Sequence, residues 1–273
     1  MTISKKASYK IVILTSVSLG IIGILLLFLL NSSIIISALR DVEGMFQVTL
    51  VILIRIIILS ITTFYLLKKW FKQEAQYLSD IPFLLSLFFL ILTYGKAIDL
   101  FWDFTFNTLN EFLVLLFLKI RFITIVLEVA PLIYLGLEIL FFRLEDRFQK
   151  LKNKGYRDKL RFRIILLMVI IELVVVITAP ENNMLAVLLP VIVIPSLLGI
   201  VYIFFLAYRL KRLSVVKPKI LTIGFFLYLI SNILRPVIQR IFGDNATYIT
   251  LAELIDIFVF LVIFLGLYKK NNS

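Results

Sequence analysis

Residues 81–103 read IPFLLSLFFLILTYGKAIDLFWD, and the reading of this stretch decides the fold. From Ile81 to Tyr94 it carries no charge, and its whole length matches the roughly 20 apolar residues that a helix needs to cross hydrocarbon. Lys96, Asp99 and Asp103 then follow at i, i+3 and i+7, on one face of a helix. A charge held in hydrocarbon costs roughly 2.5–3.5 kcal/mol unless it finds a partner or water. The stretch therefore reads as a membrane span whose second half turns a polar stripe toward other protein segments.

The same pattern extends along the chain. Of its 273 residues 62% are hydrophobic, too many for a soluble domain to hide from water. Spanning stretches fall at 9–30, 46–67, 81–103, 112–142, 162–179, 184–208, 219–242 and 248–268. Turn residues or charges separate them, among them Asn31-Ser32-Ser33, Lys68-Lys69, Asp80 before Pro82, Asn107 to Asn110, Pro180-Glu181 and Lys217-Pro218. The expected fold is all-α, a polytopic transmembrane bundle of eight spans forming one integral membrane domain over 1–273. The first span follows Lys5, Lys6 and Lys10 like a signal peptide, but its apolar core is long and lacks a small-residue cleavage site, so it reads as a retained helix.

Loop charges give the orientation. With a cytoplasmic N-terminus, 22 of the Lys and Arg residues fall in inside segments and only Arg40 falls outside. Both termini are then cytoplasmic, and the net charge of +12 reports topology, with no nucleic-acid partner needed. The expected location is the cell membrane. There is no Cys and no His, which removes thiolate chemistry, disulfides, the commonest metal ligand and the commonest general base. No glycine-rich phosphate loop and no paired-aspartate motif of the prenyl or phosphatidyl transferases appears. No catalytic residue, metal site or cofactor is expected.

Twelve ionisable residues lie within the spans, six basic (Arg55, Lys96, Lys119, Arg121, Arg235, Arg240) and six acidic (Asp99, Glu128, Glu138, Glu172, Glu253, Asp256). Asn232, Arg235 and Gln239 repeat the spacing of Lys96, Asp99 and Asp103, with Pro236 loosening the backbone behind Arg235. Glu253 and Asp256 are i, i+3 near the outer end of the last span. Glu128 lies seven residues below Arg121, and Arg55 and Glu172 fall near midplane. Most of these charges share the outer half; Glu138, on the cytoplasmic side, is the exception. Opposite signs at one depth point to ion pairs between helices, such as Arg235 with Glu253 or Asp256. Lys119 and Arg240, at the rim, can snorkel.

Three functions compete on this pattern. An outward pocket with Arg and Lys beside carboxylates, and Tyr94, Trp102 and Tyr248 nearby, suits a small polar, anionic or zwitterionic ligand. A translocation pathway would use Glu128 and Glu172 for protons or cations, as in a secondary transporter or ion-coupled carrier. An enzyme acting on a lipid-linked substrate comes third. Arg143 to Arg163 is a basic cytoplasmic stretch with Leu144, Phe148 and Leu151 at helical spacing. It reads as a helix end on an anionic leaflet, or as a docking surface for a separate partner through Arg143, Arg147, Lys150, Lys152, Lys154 and Arg157. Phe88-Phe89-Leu90 and Phe225-Phe226-Leu227, each followed by a polar outer half, hint at a parallel repeat of four plus four spans.

The passage from Tyr202 to Pro236 pairs an outside-to-inside span, a short Arg-Leu-Lys-Arg loop and a span with a mid-helix polar break and an Arg near its outer end. It resembles the seven- or eight-helix membrane modules that precede histidine kinases in archaea and bacteria, as does the segment from Pro82 to Asp103. That resemblance implies an outward-facing sensor pocket. The chain stops at Ser273 with no kinase or other output domain, so signalling would pass through a separate partner.

Overall fold

A computed structural model describes residues 2–105, 108–210, 216–243 and 245–268. Asn107, Lys211, Arg212 and the C-terminal Lys269 and Lys270, used above for boundaries and topology, lie outside the described residues. Nine α-helices form among those described: α1 (Thr2–Leu30), α2 (Ser32–Asp41), α3 (Met45–Phe71), α4 (Ile81–Thr105), α5 (Glu111–Leu144), α6 (Lys154–Thr178), α7 (Asn182–Arg209), α8 (Pro218–Phe242) and α9 (Ala246–Tyr268). Five are long and apolar enough to cross a membrane: α1 from Tyr9 onward, α3, α4, α8 and α9. Large apolar side chains such as Phe64, Phe112 and Ile241 stand on the outer surface. A soluble protein would not tolerate that coat, and the protein is membrane-embedded.

Local chemistry sets the helix ends. Asn110 caps α5 by accepting the Leu113 N–H at 2.9 Å, and Asn153 caps α6 by accepting the Tyr156 N–H at 3.2 Å. Pro218 occupies the first turn of α8, where its missing N–H costs nothing. Gly44 and Gly243 hold φ of 77° and 79° at the start of α3 and the end of α8, a region open to glycine. Between α3 and α4 the indole N–H of Trp70 donates to Asp80 Oδ2 at 3.1 Å, which ties the turn to the bundle.

Six helices pack in a closed circuit, α3–α4–α5–α7–α8–α9 and back to α3. α6 lies outside this ring against α5, while α1 and α2 lie outside it against α4. Small residues permit the closest approaches. A Cβ on Gly224 of α8 would sit 2.6 Å from Ile263 of α9, and one on Gly266 of α9 would sit 2.9 Å from Leu221 of α8. In lipid, where apolar burial gives helices little reason to associate, such packing holds them together.

Two elements depart from expectation. Between the expected spans 9–30 and 46–67, where Asn31-Ser32-Ser33 reads as a break, the chain forms α2. Ile35, Ala38 and Leu39 lie on one face of α2 and pack with Phe28, Met45, Ile52, Leu100 and Phe104. The expected helical run through Leu144, Phe148 and Leu151 is broken: a 3₁₀ turn, Gln149–Lys152, follows α5, and α6 begins eight residues before the apolar stretch at 162. Hydropathy marks the apolar part of a helix, and α6 continues past it into basic residues.

Because Gly224 faces the Ile263 side chain and backbone, Gly224→Val is expected to cost about 1–3 kcal/mol and to lower the melting temperature in detergent. Gly23→Val adds a side chain where nothing lies within 4 Å of a Cβ and should leave the melting temperature unchanged. Equal melting temperatures for the two variants would refute the close contact of α8 with α9.

Candidate ligand-binding cavity

All six ring helices contribute to one central cavity of about 540 Å³. That volume falls within the range of small-molecule sites, roughly 300–1,000 Å³. The charged residues reach it from five helices: Arg55 from α3, Lys96, Asp99 and Asp103 from α4, Arg121 and Glu128 from α5, Arg235 from α8, and Glu253 and Asp256 from α9.

Glu253 is the centre of the network. Its Oε2 accepts from Arg55 Nη1 at 2.7 Å, while Oε1 accepts from Lys96 Nζ at 2.6 Å and Arg235 Nη2 at 3.2 Å. One turn on, Asp256 pairs with Arg55 at 2.7 Å and Arg235 at 2.5 Å, and accepts the Ser231 hydroxyl at 2.5 Å. The Arg55 guanidinium also lies over the Phe260 ring, 5.0 Å from its centroid. Lys96 connects this centre to Asp99 at 3.3 Å, and Asp99 accepts from Arg121 Nε at 2.5 Å. Arg121 ends the chain with Thr124 Oγ1 at 3.2 Å and the Glu128 carboxylate at 3.8 Å. Gly95 makes room for this last branch, since a Cβ there would meet Arg121 Nη1 at 2.6 Å.

The connected groups carry four positive and four negative charges. That balance lets buried ions offset the several kcal/mol each loses with its hydration shell. Asp103 stands outside it, and Glu128 is held only at its edge. Asp103 lines the cavity one turn above Asp99 without an ion pair among the described residues. Glu128 is buried, and its Oε2 has no hydrogen-bond partner. Exposure separates structural from available groups: the side chains of Glu253, Asp256 and Arg55 are 1–3% exposed, against 29% for Arg235, 25% for Asp99 and 19% for Arg121. Among the described residues no group of carboxylates is placed to hold a metal ion.

The two ends of the cavity differ. Trp102, Asp103, Gln239 and Tyr248 line it near the helix ends opposite the basic loops. Toward the basic loops lies an aromatic layer: Phe88 meets Phe225 at 6.0 Å between centroids, Phe204 stacks on Phe225 at 5.0 Å, and Phe89 and Tyr228 contact Phe260 at 6.2 and 5.1 Å. These phenylalanines are fully buried.

Not every expected residue arrives here. Asn232 lines the cavity while its side-chain amide donates to the Tyr228 carbonyl at 2.8 Å. Glu172, by contrast, sits on α6 outside the ring and does not line the cavity. Sequence placed it near midplane, but depth carries no information on which side of a neighbour a helix packs. Tyr94 also turns away, donating its hydroxyl to the Val17 carbonyl of α1 at 2.9 Å. Lys119 Nζ caps the end of α6 at the Ile177 carbonyl, 2.8 Å away, and Arg240 is exposed. Ser231 and Tyr228 were missed, although Ser231 stands at i, i+4 to Arg235 on the same face.

A second charge cluster joins α5 to α6. Glu138 pairs with Arg157 at 3.5 Å and with Arg161, Arg157 also pairs with Glu145, and Arg161 pairs with Asp158 and lies over the Tyr134 ring at 4.4 Å. Arg157 is therefore tied into the fold and is withdrawn from the expected docking surface. Arg143 donates to the Tyr202 hydroxyl at 3.0 Å. Arg147, Lys150, Lys152 and Lys154 remain exposed.

No family model, curated protein or solved structure matches this chain.

Removing one cation from the network should strand a buried carboxylate, so Arg55→Met is expected to cost about 3–5 kcal/mol. Adding Asp256→Asn restores the balance and should recover more than half of that loss in thermal unfolding in detergent. A double variant no more stable than Arg55→Met alone would show that the groups are not held as one neutral unit.

Proposed function

We propose that this chain is a membrane sensor or receptor-like module that binds a small polar ligand, anionic or zwitterionic, in an outward-facing ion-paired cavity. In this reading α5, α6 and α7 complete eight spans with α1, α3, α4, α8 and α9. The loops rich in Lys and Arg and both termini then face the cytoplasm of a cell membrane. α2 lies at the outer surface.

The observation that carries the reading is the asymmetry of the cavity. Its polar groups gather toward one end, while interlocked phenylalanines fill the ring toward the basic loops. A binding site needs one entrance, whereas a carrier needs a polar route onward, and Glu172 does not extend one from Glu128. The available groups have both signs: Arg235 and Arg121 suit a carboxylate or phosphate, and Asp103 and Asp99 suit an ammonium group. Trp102 and Tyr248 offer aromatic surface beside them. A zwitterion satisfies both halves at once and leaves the internal balance undisturbed. The resemblance of 82–103 and 202–236 to the membrane modules of sensor kinases points the same way. The exposed Arg147, Lys150, Lys152 and Lys154 form the surface through which a separate cytoplasmic partner would be reached.

Trp70 and Trp102 are the only two tryptophans, so a Trp70→Phe variant leaves Trp102 as the sole emitter. Titration with small zwitterions, anions and cations should give a saturable emission change for a zwitterion. Asp103→Asn, which breaks no ion pair among the described residues, should weaken that response by roughly tenfold or more. Proteoliposomes should accumulate none of the ligand. Accumulation would make the protein a carrier, and no saturable response from any compound would overturn the reading.

A further inference from the structure

A second cavity of about 510 Å³ lies on the opposite side of α4, in a lateral groove walled by α1 and α3. Most of its lining is apolar, including Leu14, Val17, Phe64, Leu67 and Leu90. Three lysines also line it: Lys10 from α1, and Lys68 and Lys72 at i, i+4 at the end of α3. No carboxylate contributes to the groove, and these lysines make no ion pair among the described residues. At the far end the Tyr94 hydroxyl bonds to the Val17 carbonyl, and a Cβ on Gly20 would meet the Tyr94 ring at 2.6 Å. α1 is thus pinned to α4 at this end of the groove, and at the lysine end Tyr9 of α1 lies against Trp70, 6.2 Å between ring centroids.

The dimensions are those of one lipid leaflet. Lys72 to Ser60 covers twelve helical residues, about 18 Å, against a half-thickness of about 15 Å for a hydrocarbon core. We infer that this groove is a binding site for a single anionic phospholipid of the leaflet facing the basic loops, with one acyl chain between α1 and α3 and its phosphate among Lys10, Lys68 and Lys72. Charge complementarity selects this occupant. A zwitterionic lipid would bring its own cation to a rim of three unpaired lysines, and a second protein copy would have to insert a chain-like, negatively ended segment. The site is distinct from the central cavity, since the two share no lining residue.

Native mass spectrometry of the full chain, released from nanodiscs of mixed phosphatidylglycerol and phosphatidylcholine, tests the inference. One phosphatidylglycerol should be retained in preference to phosphatidylcholine. Each Lys→Gln change at positions 10, 68 and 72 should weaken retention by roughly fivefold, the worth of one lysine near an anionic surface. Ser60→Phe leaves every charge in place and obstructs the acyl chain, and it should also abolish retention. Equal retention of both lipids, or unchanged retention in the triple lysine variant, would overturn the headgroup assignment. Unchanged retention in Ser60→Phe, or an equal stabilisation by glycerol phosphate alone, would overturn the acyl-chain assignment. Retention lost in these variants, while the Trp102 response to a zwitterion persists, would separate this site from the central cavity.

Discussion

The fold depends on two carboxylates of α9 that are shared by cations from three other helices. Glu253 and Asp256 are almost fully buried, and alone each would be too costly to keep charged in a membrane. Arg55 bridges them from α3, Arg235 bridges them from α8, and Lys96 reaches Glu253 from α4. These contacts span the α9–α3 junction where the ring closes. Apolar side chains in lipid favour no particular neighbour, so the pairing of specific charges selects this helix order over alternatives. At the other end of the same two helices, Gly224 and Gly266 let the backbones of α8 and α9 approach closely.

The requirement for neutrality also organises the ring along its length. Ion pairs occupy the half lined by Trp102 and Tyr248, and aromatic rings occupy the other. Partial exposure lowers the cost of the less buried members, Asp99, Arg121 and Arg235. The dry half would offer no such relief, and its core is built from Phe88, Phe89, Phe204, Phe225 and Phe260. On the basic side outside the ring, Glu138, Arg157 and Arg161 pair where α5 and α6 leave the apolar region. Within the ring, the charged side chains thus lie to one side of the aromatic layer, with Arg55 against Phe260 at its edge.

Much of this was legible because one-dimensional spacing survives folding. Lys96 and Asp99, and Glu253 and Asp256, lie three residues apart and therefore had to share a helix face. Opposite signs at one depth then required pairing. Rotation about a helix axis relative to neighbours was not legible, since apolar residues surround almost every span. Glu172 and Tyr94 were misplaced for that reason: depth located them, but packing turned Tyr94 toward α1 and set α6 outside the ring. α2 escaped notice because a ten-residue helix has too short an apolar run to register as a span. Ser231 carried a positional signal through Arg235, whereas the nearness of Gly95 to Arg121 carried none, because it depends on contact between separate helices.

Three consecutive residues of α4 show how closely these roles are interleaved. Tyr94 bonds to α1, Gly95 receives the Arg121 guanidinium from α5, and Lys96 bonds to Glu253 of α9. Successive residues of a helix point about 100° apart, so a single turn of α4 addresses three directions and forms the wall between the two cavities. A rotation of α4 that drew Tyr94 away from Val17 would also carry Lys96 relative to Glu253 and shift the surface offered to Arg121. Loss of any one contact therefore changes the geometry of the other two. Where two ligands prefer different positions of such a shared wall, linkage requires that each alter the affinity for the other by the same factor.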